Sequence, residues 1–284
     1  MIDETVEEIA EMRTHSSSIV AINATQALSE LLEREYATVE EFVQDVEHNS
    51  RALRRANTSH ASLHNTQREV VRAVTETEVE SVQEAKGVLE SAISRVVNDV
   101  ETGKRRAAMH LSERLEDGMT LLTHDYSTTV LEGIELAARE GDRLSVYITE
   151  ARPRYLGRKS ARSLATVDGV DATLVVDGAS GHVLRECDAV AIGMDCVVEE
   201  LLYNRVGTYP IAAVAKDLGV PVWAAGSDAK VIDRGFAFEN ERRSPNEVML
   251  EPAEGFSIEN PAYDATPLRL IDALLTDEGP RRVD

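Results

Sequence analysis

Over the first 115 positions, apolar residues return at helical spacing: Ile9 and Met12; Ile19, Ala27, Leu28 and Leu31; Phe42 and Val46; Leu89, Ile93, Val96, Val97 and Val100. This stretch has no proline and only two glycines, Gly87 and Gly103, and is rich in Glu, Ala, Leu, Val and Arg, mostly good helix formers. Ser16, Ser17 and Ser18 stand just before Ile19, where a serine hydroxyl can cap the free N–H groups of a first turn. The pattern predicts a helical N-terminal domain over residues 1–115. It reads as a bundle of about five helices, the last of which, roughly 80–115, is long enough to bridge into the second half of the chain.

From residue 116 the pattern changes. Short apolar runs succeed one another at 119–122, 144–148, 172–176, 189–192 and 220–224, with helix-length segments at 127–140, 156–166 and 208–218 between most of them. Near-continuous apolar strands alternating with helices predict a parallel sheet covered on both faces. Residues 116–284 are therefore expected to form an open α/β domain whose ligands bind at the carboxyl ends of the strands. Neither a glycine-rich dinucleotide fingerprint nor a Walker-type phosphate loop is present, and no internal repeat stands out. Residues 235–257 carry no period and are expected to be mobile surface loops.

Charge narrows the choice of partners. The 51 acidic residues against 30 basic ones give a formal net charge of −21, which argues against nucleic acid as a main ligand. The basic residues are 25 Arg and 5 Lys. Dense carboxylates with few lysines keep a protein hydrated in concentrated salt, where repulsion is screened within about 3 Å, so a salt-adapted cytoplasm is expected. Cys187 and Cys196 make no disulfide framework and no metal-type spacing, and are expected as small buried apolar residues. The acidic start has no apolar core of a leader, and no run approaches the ~18 apolar residues of a membrane span. No metal and no cofactor is expected.

Polar clusters come after three of the predicted strands: Thr123-His124-Asp125-Tyr126-Ser127; Thr149-Glu150-Ala151-Arg152-Pro153-Arg154; and Gly193-Met194-Asp195, with Asn204-Arg205-Val206-Gly207-Thr208 after it. Brought to one rim, they supply the carboxylates of Asp125, Glu150 and Asp195, the guanidinium groups of Arg152, Arg154 and Arg205, and helix N-termini. Arginine forks and helix N-termini bind phosphate and carboxylate groups, so a small phosphorylated ligand, a sugar phosphate or a nucleoside monophosphate, suits this rim.

These clusters resemble a known superfamily. It unites the α, β and δ subunits of eukaryotic-type translation initiation factor 2B with ribose-1,5-bisphosphate isomerase and methylthioribose-1-phosphate isomerase. The similar stretches are 121–127, 149–153 with Gly157, and 204–208, together with the tail Asn260-Pro261-Ala262-Tyr263-Asp264-Ala265-Thr266-Pro267 and Thr276-Asp277-Glu278-Gly279. The resemblance implies a helical N-terminal domain followed by a Rossmann-like domain, in agreement with the pattern above. It also implies assembly into dimers or hexamers.

The resemblance assigns roles residue by residue. The isomerases carry a catalytic cysteine where this chain has Asp125, and their catalytic aspartate matches Asp195. Arg13, His124, Ser127, Glu150, Arg152, Asn204 and Arg205 are the implied substrate-binding positions, with Arg205 standing for the family's lysine. The family's phosphate-holding Arg-Pro-Thr segment corresponds to residues 57–62, which lack that arginine, although Arg54 and Arg55 lie close. These departures lead to a regulatory or scaffolding relative of the initiation factor subunits that binds a sugar phosphate or nucleotide, with the initiation factor 2 α subunit as candidate partner. The alternative is an active aldose–ketose isomerase with Asp125 as base and Asp195 as acid. An assay with ribose 1,5-bisphosphate separates the two.

Overall fold

The structure, a computed structural model, describes residues 2–11, 17–58, 60–232, 236, 238–251 and 254–282 of the 284. The chain forms two compact units, Met1–Thr102 and Gly103–Asp284. The first is helical: α1 (Ile2–Ala10), α2 (Ser17–Ala27), α3 (Val39–Ala56), α4 (Ala61–Glu76) and the greater part of α5 (Val82–Ser112). Thr38 starts α3 by accepting the Glu41 N–H on its hydroxyl, while the Glu41 carboxylate reaches back to the Ala37 N–H. The apolar stripes meet in one core around Leu28, Leu31, Phe42, Leu53, Leu63 and Leu89. The division between units falls inside α5. Its last turns belong to the second unit because Ala107, Ala108 and Leu111 are fully buried there, Leu111 in the core beside the first strand of the sheet.

The second unit is α/β. Its strands are β1 (Thr120–His124), β2 (Leu144–Thr149), β3 (Val170–Val175), β4 (Ala189–Gly193), β5 (Cys196–Val198), β6 (Leu201–Arg205), β7 (Val222–Ala225), β8 (Val231–Ile232), β9 (Tyr263–Pro267), β10 (Ala273–Thr276) and β11 (Gly279–Arg282). Its helices are α6 (Thr128–Glu140), α7 (Gly157–Leu164), the one-turn α8 (Ser180–Val183) and α9 (Thr208–Leu218). Seven strands make one sheet in the order β11-β10-β7-β4-β1-β2-β3, parallel throughout except for the β10–β11 hairpin. Side chains alternate across it. Leu121, Ala189, Ala191 and Trp223 join Val130 and Ile134 of α6 on one face, and Leu122, Val190, Ile192 and Val222 join Ile211 and Ala215 of α9 on the other. The five predicted strands and three predicted helices are all present, with boundaries shifted by a few residues.

Strand order in this unit creates a crevice. From β1 the chain moves outward to β2 and β3; from β4 it moves the other way, to β7 and β10. The neighbours β1 and β4 are thus the point where strand order reverses, and a crevice opens at the carboxyl ends of two such strands. Beside it stands a separate four-stranded sheet, β8-β5-β6-β9, that no sequence pattern announced. Its β5–β6 hairpin starts two residues after β4 and carries the chain back over that crevice.

Candidate functional site

Asp125 comes directly after β1. Its backbone takes the left-handed conformation (φ 63°), which an aspartate tolerates better than most side chains, and the buried Ser160 hydroxyl donates to its carbonyl at 2.7 Å. Asp195 stands just beyond β4 and opens the hairpin, its N–H donating to the Tyr203 carbonyl at 3.0 Å. Arg205 closes β6. Its Nε lies 3.6 Å from Asp125 Oδ2 and 3.7 Å from Asp195 Oδ2, and the side chains of Arg205, Asp125 and Asp195 are only 10%, 10% and 14% exposed. Two strand ends far apart in sequence are therefore joined through one buried cation. Burial works against the Arg205 charge, but Tyr263, Asp195 and Asp125 outweigh it and hold the guanidinium above its ordinary pKa. Its Nη1 is buried with no hydrogen-bond partner among the described residues.

The remaining expected residues divide. Arg152 lines the same cleft, with its Nη2 donating to the Val248 carbonyl at 3.1 Å and its guanidinium over the Tyr155 ring. Glu150 pairs with Arg158 at 2.7 Å. His124 is buried with both ring nitrogens engaged: Nδ1 with the Thr149 hydroxyl at 2.6 Å and Nε2 with the Val206 carbonyl at 2.9 Å. That arrangement leaves it no nitrogen for a ligand; it ties β1 to β2 and to the turn after β6. Asn204 donates to Thr208 Oγ1, which in turn donates to the Arg205 carbonyl, so it shapes the same turn. Ser127 caps α6 by accepting the Val130 N–H. Arg13 lies outside the described residues.

Two glycines make this packing possible. Gly207 has φ 111°, and a Cβ there would stand 2.7 Å from the His124 ring. At Gly157 a Cβ would fall 1.8 Å from the Thr149 carbonyl oxygen, so only glycine lets α7 start against the end of β2. The α9 N-terminus is already occupied, since Asp264 accepts the N–H groups of Gly207 and Tyr209 at 2.7 and 3.0 Å. α6, next to Asp125, starts instead on the neutral Ser127 hydroxyl.

The cleft itself is walled by Asp125, Arg152, Arg154, Arg205 and Arg243, with Leu156 and Pro261 among its apolar lining. Arg154 is half-buried, and its pKa is lowered by burial and by the charges of Arg243 and Arg205. Several of these contributors escaped sequence reasoning. Arg243 and Tyr263 reach the site from the C-terminal segment, where no periodicity pointed to a strand or a wall. Lys230 is buried, donates to the Met194 carbonyl at 2.8 Å, and has its amine pushed down by burial while Asp195 pulls the other way. Asp177 accepts the N–H groups of Ala151 and Arg152 at 2.8 and 2.7 Å, and so holds the turn after β2. Residues 238–251, expected as mobile surface loops, are pinned to the second sheet at their start. Phe238 stacks on Tyr203, and Asn240 brackets the Tyr263 backbone.

Among the described residues no group of three His, Cys, Asp or Glu side chains is placed to hold a metal ion, and no helix is long and apolar enough to cross a membrane.

Residues 13–281 match the model of the initiation factor 2 subunit family. The chain is 31% identical over 288 residues to ribose 1,5-bisphosphate isomerase of Methanocaldococcus jannaschii, covering 98% of this chain and 91% of the relative. It is 30% identical over 292 residues to ribose 1,5-bisphosphate isomerase of Haloterrigena turkmenica, covering 97% and 88%. Among solved structures, translation initiation factor eIF-2B of Pyrococcus horikoshii superposes with a TM-score of 0.84 at 23% identity, over 98% of this chain and 96% of that one.

Proposed function

The chain belongs to the initiation factor 2 subunit family, and on that premise we propose that it is an aldose–ketose isomerase acting on a phosphorylated ribose. Ribose 1,5-bisphosphate is the substrate we favour, because the relatives similar to this chain over nearly its whole length carry that activity in their names. This reverses the order of the two readings drawn from the sequence, where the regulatory one led. The observation that carries it is the Asp125–Arg205–Asp195 triad at the sheet's switch point.

The chemistry asked of the site is modest. An aldose becomes a ketose when a proton leaves C2 and one is delivered to C1; with C1 phosphorylated, this goes through an enol whose C2 oxygen gains negative charge on the way. Asp195 in its protonated form gives its proton to the ring oxygen as the sugar opens, Asp125 takes the proton from C2 and returns it to C1, and Asp195, now ionised, takes the proton of the C2 hydroxyl as the ketone forms. Arg205 stands between them as a fixed cation for the developing oxyanion, and a preorganised charge in a site this dry acts strongly. Lys230, held on the Met194 carbonyl, is a further cation acting on Asp195.

Incubation of the purified protein with ribose 1,5-bisphosphate in molar potassium chloride should yield ribulose 1,5-bisphosphate, and Asp195→Asn should abolish turnover. A regulatory reading keeps one observation on its side: Asp125 stands where the isomerases place a cysteine, and its carboxylate already has a cation partner. Absence of turnover together with ligand-dependent thermal stabilisation would favour that reading, with capture of the initiation factor 2 α subunit as its positive test. Salt adaptation and a dimeric or hexameric state belong to the same proposal. Light scattering in molar salt should give a mass at least twice 31.2 kDa.

A further inference from the structure

Three guanidinium groups share one wall of the cleft. Arg205 arrives from β6, Arg154 from the turn after β2, and Arg243 from the segment between β8 and β9. Such a concentration is costly. Each like charge works against the others, and Arg154 is in addition half-buried. Arg243 is held from behind by carboxylates. Glu247 takes its Nε and Nη2 at 2.8 and 2.6 Å, Glu241 takes its Nη1 at 3.1 Å, and Asn260 reaches Glu247 at 3.4 Å and the Ser244 carbonyl at 3.0 Å. Neither glutamate lines the cleft, where Asp125 is the sole carboxylate among the described lining residues. The Arg243 side chain is thus oriented by a buttress, with an exposure of 13%, in the way a fork is fixed before it meets an anion.

The buried Arg205 Nη1 supplies an independent observation. Its Nε serves the two aspartates, while Nη1 finds no partner among the described residues. A buried donor left unmade costs free energy comparable to a lost hydrogen bond, so its persistence in a polar cleft points to a group that binds there. An oxyanion with several lone pairs satisfies that donor and offsets the repulsion among the three cations together. We propose that Arg154, Arg205 and Arg243 form a subsite for the phosphoryl group of the substrate that lies away from the reacting carbon. Arg243 and its Glu247 buttress then decide that a second phosphate is required. Arg152 at the rim, tied to the Val248 carbonyl, carries the segment that brings Arg243 in.

This subsite rests on the isomerase reading for its choice of ligand but is tested by binding. Calorimetric titration of the full-length protein with ribose 1,5-bisphosphate, ribose 1-phosphate and inorganic phosphate reads it directly. The bisphosphate should bind at least tenfold more tightly than either other probe. Arg243→Gln and Arg154→Gln should each weaken the bisphosphate at least tenfold and bring it level with ribose 1-phosphate, while Arg243→Lys should fall between. The double variant Arg243→Gln/Glu247→Gln removes the stranded carboxylate, so a folding defect in the single variant, read by its melting temperature, is separated from loss of the ligand. Unchanged bisphosphate affinity in both glutamine variants overturns the subsite even when turnover is measured. So does failure of the parent protein to bind the bisphosphate better than inorganic phosphate. Arginine-dependent binding without turnover keeps the subsite and removes the isomerase.

Discussion

Arg205 and Tyr263 are register partners across β6 and β9, and the Arg205 guanidinium lies over the Tyr263 ring with 4.6 Å from its carbon to the ring centroid. The tyrosine is 2% exposed, and Phe238 packs edge-on against it at 5.1 Å. A strand with no part in the main sheet thereby fixes the one cation shared by Asp125 and Asp195.

Replacing that ring tests the relationship. Tyr263→Phe keeps the aromatic face and should retain stability and ligand binding within about 1 kcal/mol, whereas Tyr263→Leu should cost about 2–3 kcal/mol and lower ligand affinity severalfold. Urea midpoints and calorimetry on both variants check this. Equal behaviour of the Phe and Leu variants would show that the ring does not hold the cation.

The Gly207 turn offers a contrast between strain and collision. Gly219 also has a positive φ, 75°, but faces open space, so Gly219→Ala should cost about 1 kcal/mol. At Gly207 the added methyl meets a histidine whose two ring nitrogens are both committed and which cannot swing away. Gly207→Ala should therefore cost about 3 kcal/mol or more, and turnover should fall as Arg205 shifts. Thermal melts rank the two.

The thiols report on the site's chemistry. Burial pushes both Cys187 and Cys196 up to about 12, each helped by neighbouring carboxylates, Asp188 and Glu186 for the first and Asp195 for the second. Neither is a thiolate at neutral pH, so Cys196 does not stand in for the family's cysteine in spite of its place next to Asp195. Ellman's reagent at pH 8 should find no reactive thiol in the folded protein and two after unfolding, and Cys196→Ser should leave turnover unchanged within about twofold.

In the helical unit, the Ile2 N–H and then Arg34 hold the Glu30 carboxyl down at about 2, against an ordinary 4.5. A carboxyl lowered on folding adds stability that is complete above about pH 4.5 and is lost as pH falls toward 2. Glu30→Gln should thus be less stable than the parent at pH 7, by less than about 1 kcal/mol given the exposure of the pair, and equal to it near pH 2. A gap that persists to pH 2 would assign the effect to packing. Molar salt should narrow the gap at neutral pH.

Local rules carried much of this molecule. Hydrophobic period alone separates the helical half from the α/β half, because a helix repeats every 3.6 residues and a strand covered on both faces shows no polar beat. The same runs place Asp125, Glu150 and Asp195 at strand ends, and a parallel sheet sends all such ends to one side. What runs of residues cannot encode is which strands lie next to each other. That β1 and β4 are neighbours, that a hairpin of three- and five-residue strands returns Arg205 between their aspartates, and that Tyr263 and Arg243 arrive from about 40–60 residues away are decided by long-range pairing alone. Side-chain commitments are equally invisible beforehand: His124, Asn204 and Glu150 have residue types suited to ligands, and only the fold spends their polar atoms on neighbours.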